Sequence, residues 1–167
     1  QDFSRTASTG IFNVSAGLAR HLARRSDVER LTVLAGGPRP ADPLAVAAVE
    51  TRVVRWPTAS LAGRLVWDQC GVYRAAARAG NPWLLLPKGF ASMVRRCPVR
   101  LAAYVHDLIP LESAQRYPQS ANRWKTAYLR RAYAATFRTA NVIFTNTEIT
   151  RAALERYAEA RQLRCPP

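Results

Sequence analysis

Short, almost uniformly apolar segments that alternate with helical segments constrain the fold of this chain most strongly. Trp83–Leu86, Leu101–Val105 and Asn141–Thr145 are such segments, and apolar runs of this length are typical of strands that helices cover on both faces. Leu31–Ala35 and Arg52–Trp56 predict two more strands. The alternation predicts an α/β fold, Rossmann-like, with a doubly wound and mostly parallel sheet.

Helices are predicted between these strands from apolar spacing and from residues that favour helix ends. Asn13 is of a type that caps helices, and Gly80-Asn81-Pro82 is a sequence that ends one. The predicted helices cover residues 13–25, 61–79, 122–139 and 148–163, with a loop over 110–120. Their spacing predicts that the following side chains face inward: Val14, Leu18, Leu22, Leu65, Cys70, Tyr73, Ala77, Trp124, Tyr128, Ala132, Ala135, Ile149, Ala153, Leu154 and Tyr157.

The chain carries a large excess of basic residues, with a formal net charge of +14 over 167 residues. Two stretches contain basic but no acidic residues, one between Asp68 and Asp107 and one between Glu112 and Glu148. Such a field favours polyanions, namely nucleotide diphosphates, anionic lipid head groups or nucleic acid, and a solvated basic surface is the alternative.

The three cysteines have neither a metal-binding nor a redox spacing, which predicts reduced thiols in a cytoplasmic protein. We expect residues 1–167 to form one domain that is a piece of a longer protein. The sequence before the first helix leaves no room for a full first strand, and Pro166-Pro167 resembles the start of a linker.

In an open parallel sheet, ligands bind beyond the carboxyl ends of the strands. This rule selects residues 8–13, 87–90, 106–110 and 146–148. In the first segment, Gly10 would let the backbone approach a phosphate or a sugar hydroxyl at a helix N-terminus. A tight turn without a ligand explains this glycine equally well. The sequence contains no G-x-G-x-x-G, P-loop, G-x-S-x-G or H-E-x-x-H motif, which disfavours a dinucleotide cofactor and the chemistries of those motifs.

His106 is the candidate catalytic residue, because an imidazole at a strand end can donate to a sugar hydroxyl or to a developing charge near neutral pH. A histidine that merely bonds a loop carbonyl is the alternative. Asp107 is expected to cap or orient the loop, and Lys88 offers a positive charge to a phosphate or an acidic acceptor. Thr147 and Glu148 are expected to cap the last helix, whatever else they do.

Four segments also have a recognisable order along the chain. They are Thr9-Gly10-Ile11 with the helix after it, Trp67-Asp68-Gln69, the run from Val105 to Pro110 and the run from Ala140 to Glu148. Together they resemble the N-terminal domain of glycosyltransferase family 4, the group 1 transferases of GT-B fold. That family has a Gly-Ile turn, Trp-Glu-Gln, His-Asp-Leu-x-Pro and Ala-Asp-x-Ile-(apolar)-x-Val-Ser-Glu in the same order.

The resemblance implies a site and a reaction. His106 would line the catalytic cleft near the transferred sugar, and the turn of Gly10, Ile11 and Asn13 would approach the donor's phosphate or sugar. Asn13 stands where an Arg is common, and Asn146-Thr147 replaces the commoner Val-Ser. A sugar would pass from a nucleotide-sugar donor to a glycan or a lipid-linked acceptor, with retained configuration and without a metal or a cofactor.

The resemblance also implies that this domain recognises the acceptor and is inactive alone. The nucleotide-sugar site of the family lies mainly in a second, C-terminal domain with a Glu-x7-Glu motif, which residues 1–167 lack.

Two other functions are open from the sequence. A nucleic-acid-binding module would suit the basic stretches, but no helix-turn-helix, zinc-finger or RNP motif supports it. An α/β domain that regulates a partner enzyme is the second. The arginine-rich surface would also favour anionic lipid, and so peripheral attachment at the inner face of the membrane.

Overall fold

The computed structural model describes residues 10–35, 49–53 and 60–167, and the statements below concern these ranges. The chain divides into two compact units, Gln1–Asn81 and Pro82–Pro167. The first unit contains α1 (Gly10–Ala23), β1 (Leu31–Ala35), β2 (Val49–Val53), α2 (Leu61–Val66), a π-helical turn (Trp67–Gly71) and α3 (Val72–Ala79). The second contains β3 (Trp83–Leu86), β4 (Arg100–Val105), α4 (Ile109–Arg116), α5 (Arg123–Thr139), β5 (Val142–Thr145) and α6 (Glu148–Glu159).

All strand pairs of the described residues are parallel, and they form one sheet in each unit. In the first unit β1 pairs with β2, from Leu31 opposite Val49 to Ala35 opposite Val53. In the second unit the order is β3-β4-β5, with β4 in the centre. The predicted α/β, Rossmann-like class is confirmed. None of the helices in the described ranges combines the length and the apolar character needed to cross a bilayer.

Two elements of the first unit begin earlier than predicted. The first helix begins at Gly10, so Asn13 lies within its first turn and does not cap it. The sequence before Gly10 offers other capping residue types, Ser8 and Thr9, which lie outside the described residues. The strand β2 begins at Val49, three residues before the predicted start, because the half-buried Val49 and Thr51 flank the exposed Glu50, as in a half-exposed strand.

The predicted long helix over residues 61–79 forms, but the π-helical turn Trp67–Gly71 interrupts its α-helical geometry. A π turn adds a residue and rotates the side chains that follow. The buried residues are therefore Trp67, Val72, Tyr73, Ala76 and Ala79, and of the expected inward positions only Tyr73 is buried. Gly80 ends the helix with a left-handed φ of 68°, as predicted.

The core of the second unit lies around β4. Leu101, Ala103 and Val105 have at most 1% exposure, since β4 is paired on both sides and covered by helices. The side chains that complete this core come from the loop after β4 and from the helices: Leu108, Leu111, Leu129, Tyr133, Phe137, Ala153, Leu154, Tyr157 and Ala158. The inward prediction was correct for Ala153, Leu154 and Tyr157 and wrong for Trp124 and Ile149, which are 88% and 81% exposed.

The predicted loop over residues 110–120 is wrong for its first half, which forms α4. Pro110 suits the first turn of a helix, where an N–H group would lack a partner inside the helix. The Asp107 carboxylate accepts a hydrogen bond from Ile109 N at 3.1 Å and satisfies another N–H of that turn. Pro110 therefore stands in the first turn of α4, although prolines in a sequence often indicate a loop.

Candidate functional site

The carboxyl ends of β3, β4 and β5 meet at one edge of the sheet, because the three strands are parallel. Three of the four segments selected from the sequence follow these ends, namely residues 87–90, 106–110 and 146–148. The second unit thus brings Lys88, His106 and Thr147 to a common edge. Gly10, Ile11 and Asn13 belong to the first unit and are described separately below.

The turn after β3 is built by a proline and a glycine. Gly89 N donates to Leu86 O at 3.1 Å across Pro87 and Lys88. Proline favours the second position of such a tight turn and glycine the fourth. Gly89 has a φ of +70°, and a Cβ there would lie 2.7 Å from Cγ2 of Val105. Only glycine therefore lets this turn lie directly against the end of β4.

His106 is held by that turn. Its Nε2 lies 2.9 Å from the carbonyl oxygen of Pro87, and because a carbonyl only accepts hydrogen bonds, Nε2 carries a proton. The neutral ring then has Nδ1 as its acceptor, and Nδ1 becomes a donor only when the ring is protonated. The Tyr104 ring lies beside the imidazole, with ring centroids 4.8 Å apart. The half-buried imidazole is thus fixed in tautomer as well as in position.

The turn after β5 is tied to the main chain of His106. Thr147 caps α6, since its hydroxyl accepts from Thr150 N at 3.1 Å. The Thr150 hydroxyl lies 3.3 Å from the carbonyl oxygen of His106 and 3.2 Å from Oδ1 of Asn146, two acceptors that share its one proton. Thr150 is buried and was missed in the sequence, where the repeat Thr147-x-x-Thr150 was its only sign.

Two hydroxyl groups of α5 form hydrogen bonds with the main chain of the loops after β3 and β4. Neither was predicted from the sequence. The Thr136 hydroxyl donates to Gly89 O at 2.8 Å and accepts from Ala91 N at 2.9 Å. The Tyr133 phenol donates to the carbonyl oxygen of Asp107 at 2.8 Å. Burial, and then the negative charge of Asp107, raise the pKa of Tyr133 above its ordinary value, so this phenol stays a donor at neutral pH.

Other predicted site residues of the second unit are less constrained. Asp107 accepts from Ile109 N and thereby joins the end of β4 to α4. Lys88 is half-buried in the turn after β3. Glu148 is 88% exposed and lies 3.7 Å from the guanidinium of Arg151, as expected of a surface residue in the first turn of a helix.

In the first unit, Gly10 is the first residue of α1, and a Cβ there would meet no heavy atom within 4 Å among the described residues. Packing against the described residues therefore does not explain why residue 10 is a glycine. The carbonyl of Ile11 accepts from the Ser15 hydroxyl at 2.7 Å, and Asn13 is exposed in the first helical turn.

The described residues contain no group of three or more His, Cys, Asp or Glu side chains that could hold a metal ion. All three cysteines belong to the described part and are free thiols. Burial raises the pKa of Cys97 and that of Cys165, so neither thiol is activated as a nucleophile.

Comparison with protein families gives a match to the model of Glycosyltransferase Family 4, which covers residues 8–164. The match includes both units and all four segments at which the sequence placed candidate site residues. Searches of curated proteins and of solved structures give no significant match.

Proposed function

Because the chain belongs to Glycosyltransferase Family 4, we propose that it is the acceptor-side domain of an enzyme that transfers a sugar from a nucleotide-sugar donor to a glycan or a lipid-linked acceptor. The family match over residues 8–164 carries this proposal. The edge at which β3, β4 and β5 end supports it, since ligands of open parallel sheets bind beyond such an edge.

His106 is the catalytic residue of the proposed reaction. The bond from the anomeric carbon of the sugar to the diphosphate breaks, and a bond to the acceptor hydroxyl oxygen forms on the same face. The acceptor's proton leaves with the diphosphate or to solvent. Because Nε2 of His106 is engaged with Pro87, its Nδ1 is the atom that faces this chemistry, as an acceptor for a sugar hydroxyl or, when protonated, as a donor to developing negative charge.

The remaining predicted residues bind substrate in this proposal. The main-chain N–H groups around Gly10 and Ile11, at the N-terminus of α1, contact the donor's phosphate, and Asn13 contacts its sugar. In the second unit Lys88 contacts a phosphate or an acidic acceptor, and Asp107 acts through the loop that it shapes. Thr147 and Glu148 form the wall of the cleft.

The nucleotide-sugar half of the site lies in a second domain. Residues 1–167 are then one acceptor-side domain, and completion of the cleft needs a partner domain that supplies the donor contacts. The electrostatic stabilisation of the departing diphosphate requires no metal and no cofactor in this scheme. The net charge of +14 supports attraction of the anionic donor, and it supports a cytoplasmic enzyme attached peripherally to the inner face of the membrane.

The test is nucleotide-sugar-dependent transfer by the product of the complete reading frame that encodes this chain. The purified protein is incubated with a panel of nucleotide-sugars and lipid-linked or glycan acceptors, and release of the nucleotide is measured with and without acceptor. We expect release that depends on one donor and rises with acceptor. Release by no member of the panel, in a protein shown to be folded, would contradict the proposal.

A further inference from the structure

An open cavity of about 550 Å³ lies at the amino end of β5, between the end of α5 and the segment that follows α6. Three exposed arginines line it. Arg138 comes from the last turn of α5, and Arg161 and Arg164 come from the segment after α6. Because these three side chains reach one space from separate parts of the chain, we call it the arginine cavity.

The arginine cavity lies at the opposite edge of the sheet from His106. Asn141 lines the cavity just before β5, and its main-chain N–H donates to the carbonyl oxygen of Leu101, near the start of β4, at 2.8 Å. His106 follows the other end of β4, roughly 16 Å away at the rise of an extended strand. The cavity is therefore separate from the edge at which we place sugar transfer.

The charge of the cavity is of one sign, since none of the side chains that line it is acidic. Arg138, Arg161 and Arg164 take part in none of the ion pairs found in the described ranges. The nearest carboxylate along the chain, that of Glu159, forms no such pair either. Positive charges that share a cavity repel one another, and a bound anion would replace this repulsion with attraction.

The side chains of the cavity are arranged to donate hydrogen bonds. The guanidinium of Arg161 lies 4.0 Å from the ring centroid of buried Tyr157, and a stacked guanidinium keeps the N–H groups in its plane for an acceptor. The side-chain oxygen of Asn141 accepts from Leu101 N at 2.8 Å, so what this side chain has left to offer is mainly its amide N–H groups.

We propose that the arginine cavity binds a small soluble molecule that carries a phosphate or diphosphate group. Arginine binds phosphate oxygens with paired N–H groups, and small-molecule sites have volumes of about 300–1,000 Å³. Arginines at helix ends also offset the negative end of the helix dipole. That role accounts for Arg138, but it does not account for Arg164, which lies well beyond the end of α6. The inference goes beyond the proposed function and does not depend on it.

The test measures binding of inorganic pyrophosphate to the product of the complete reading frame by isothermal titration calorimetry. Arg138→Gln/Arg164→Gln should bind at least about tenfold more weakly, because it removes two charged donors. Arg123→Gln/Lys125→Gln is the matched control, since it removes two charges at the other end of α5, roughly 20 Å from Arg138. Its affinity should change less than about twofold, because charges at that distance are screened.

A second measurement locates the bound pyrophosphate, which also resembles the diphosphate that leaves in the proposed reaction. Phenylglyoxal modifies accessible arginines, and mass spectrometry of peptides reports the modification of each one. We expect pyrophosphate to protect Arg138 and Arg164 and to leave Arg123 unprotected. The protection should saturate over the same concentrations as the binding measured by calorimetry.

The outcomes separate the arginine cavity from the rest of the account. Unchanged affinity in Arg138→Gln/Arg164→Gln, an equal loss in the control variant, or the absence of protection at Arg138 and Arg164 would overturn the proposal. Binding of single-stranded RNA without binding of pyrophosphate would also overturn it, because the arginines would then belong to a nucleic-acid surface. A protein that binds pyrophosphate in the cavity and transfers no sugar would contradict the proposed function alone.

Discussion

The Nε2–H group of His106 donates to the main-chain carbonyl of Pro87 over 2.9 Å, so the turn after β3 fixes the imidazole at the end of β4. The neighbouring turn after β5 reaches the main chain of the same residue through Thr150. The loops after all three strand ends therefore bear on the position of this one residue.

Gly89 is the residue that allows this arrangement, and replacing it should cost stability. In Gly89→Ala the new Cβ overlaps Val105 and the φ of +70° becomes unfavourable, so we expect a loss of about 2–4 kcal/mol in the free energy of unfolding. Denaturant unfolding followed by circular dichroism measures it. Gly10→Ala is the matched control, because a Cβ there meets nothing among the described residues, and its stability should not fall. Equal stability of the Gly89→Ala and wild-type proteins would contradict this part of the account.

The π-helical turn gives a second prediction. A Cβ at Gly71 would overlap the ring of buried Trp67, so Gly71→Ala should lose about 1–3 kcal/mol and change the near-ultraviolet circular dichroism of the protein. Gly17→Ala, in α1, places a Cβ that meets nothing within 4 Å in the described ranges, and it should instead gain up to about 1 kcal/mol. The interpretation fails if both variants behave alike.

Much of the fold could be predicted from the sequence because its strands are short, apolar and flanked by turn residues. β1 and β3 begin and end at the predicted residues. Which side chains of the helix after residue 61 face inward could not be predicted, since apolar spacing does not reveal a π turn. The burial of Trp67 is seen only in the structure, where the π turn begins at this residue. Likewise Pro110 suits both a loop and a first helical turn, and the sequence pattern does not choose between them.

The geometry of the candidate site was predictable only in part. The position of His106 at the sheet edge follows from the apolar strand before it, but the side chains that hold its surroundings come from helices distant in sequence. Thr136 and Tyr133 look like ordinary polar positions on α5, and only the packing of that helix brings them to the carbonyls of Gly89 and Asp107. Contacts over such sequence separations follow from the tertiary fold and not from local pattern.

Tyr133 gives a prediction for alkaline pH. Tyr133→Phe loses the hydrogen bond to Asp107 O, at a cost of about 0.5–1.5 kcal/mol near neutral pH. Because the pKa of Tyr133 is raised in the folded state, the unfolded chain releases the phenol proton first, above about pH 10. Above that pH the wild-type protein therefore loses the stability that the raised pKa of Tyr133 supplies, whereas Tyr133→Phe has no such contribution to lose.

The stability difference between the Tyr133→Phe and wild-type proteins should accordingly shrink as pH rises beyond about 10. Urea unfolding of both proteins across this range measures the difference at each pH, so that the other tyrosines cancel. A difference that stays constant up to about pH 11 would show that the Tyr133 phenol has its ordinary pKa.

The catalytic role that we propose for His106 is tested most directly by kcat in the product of the complete reading frame. His106→Gln keeps a donor at the position of Nε2 and so the bond to Pro87, but it lacks a titratable acceptor at Nδ1. His21→Ala, which alters the other histidine of this chain, is the matched control. We predict a loss of about 100-fold or more in kcat for His106→Gln and an unchanged kcat for His21→Ala. Wild-type turnover in His106→Gln would contradict the account.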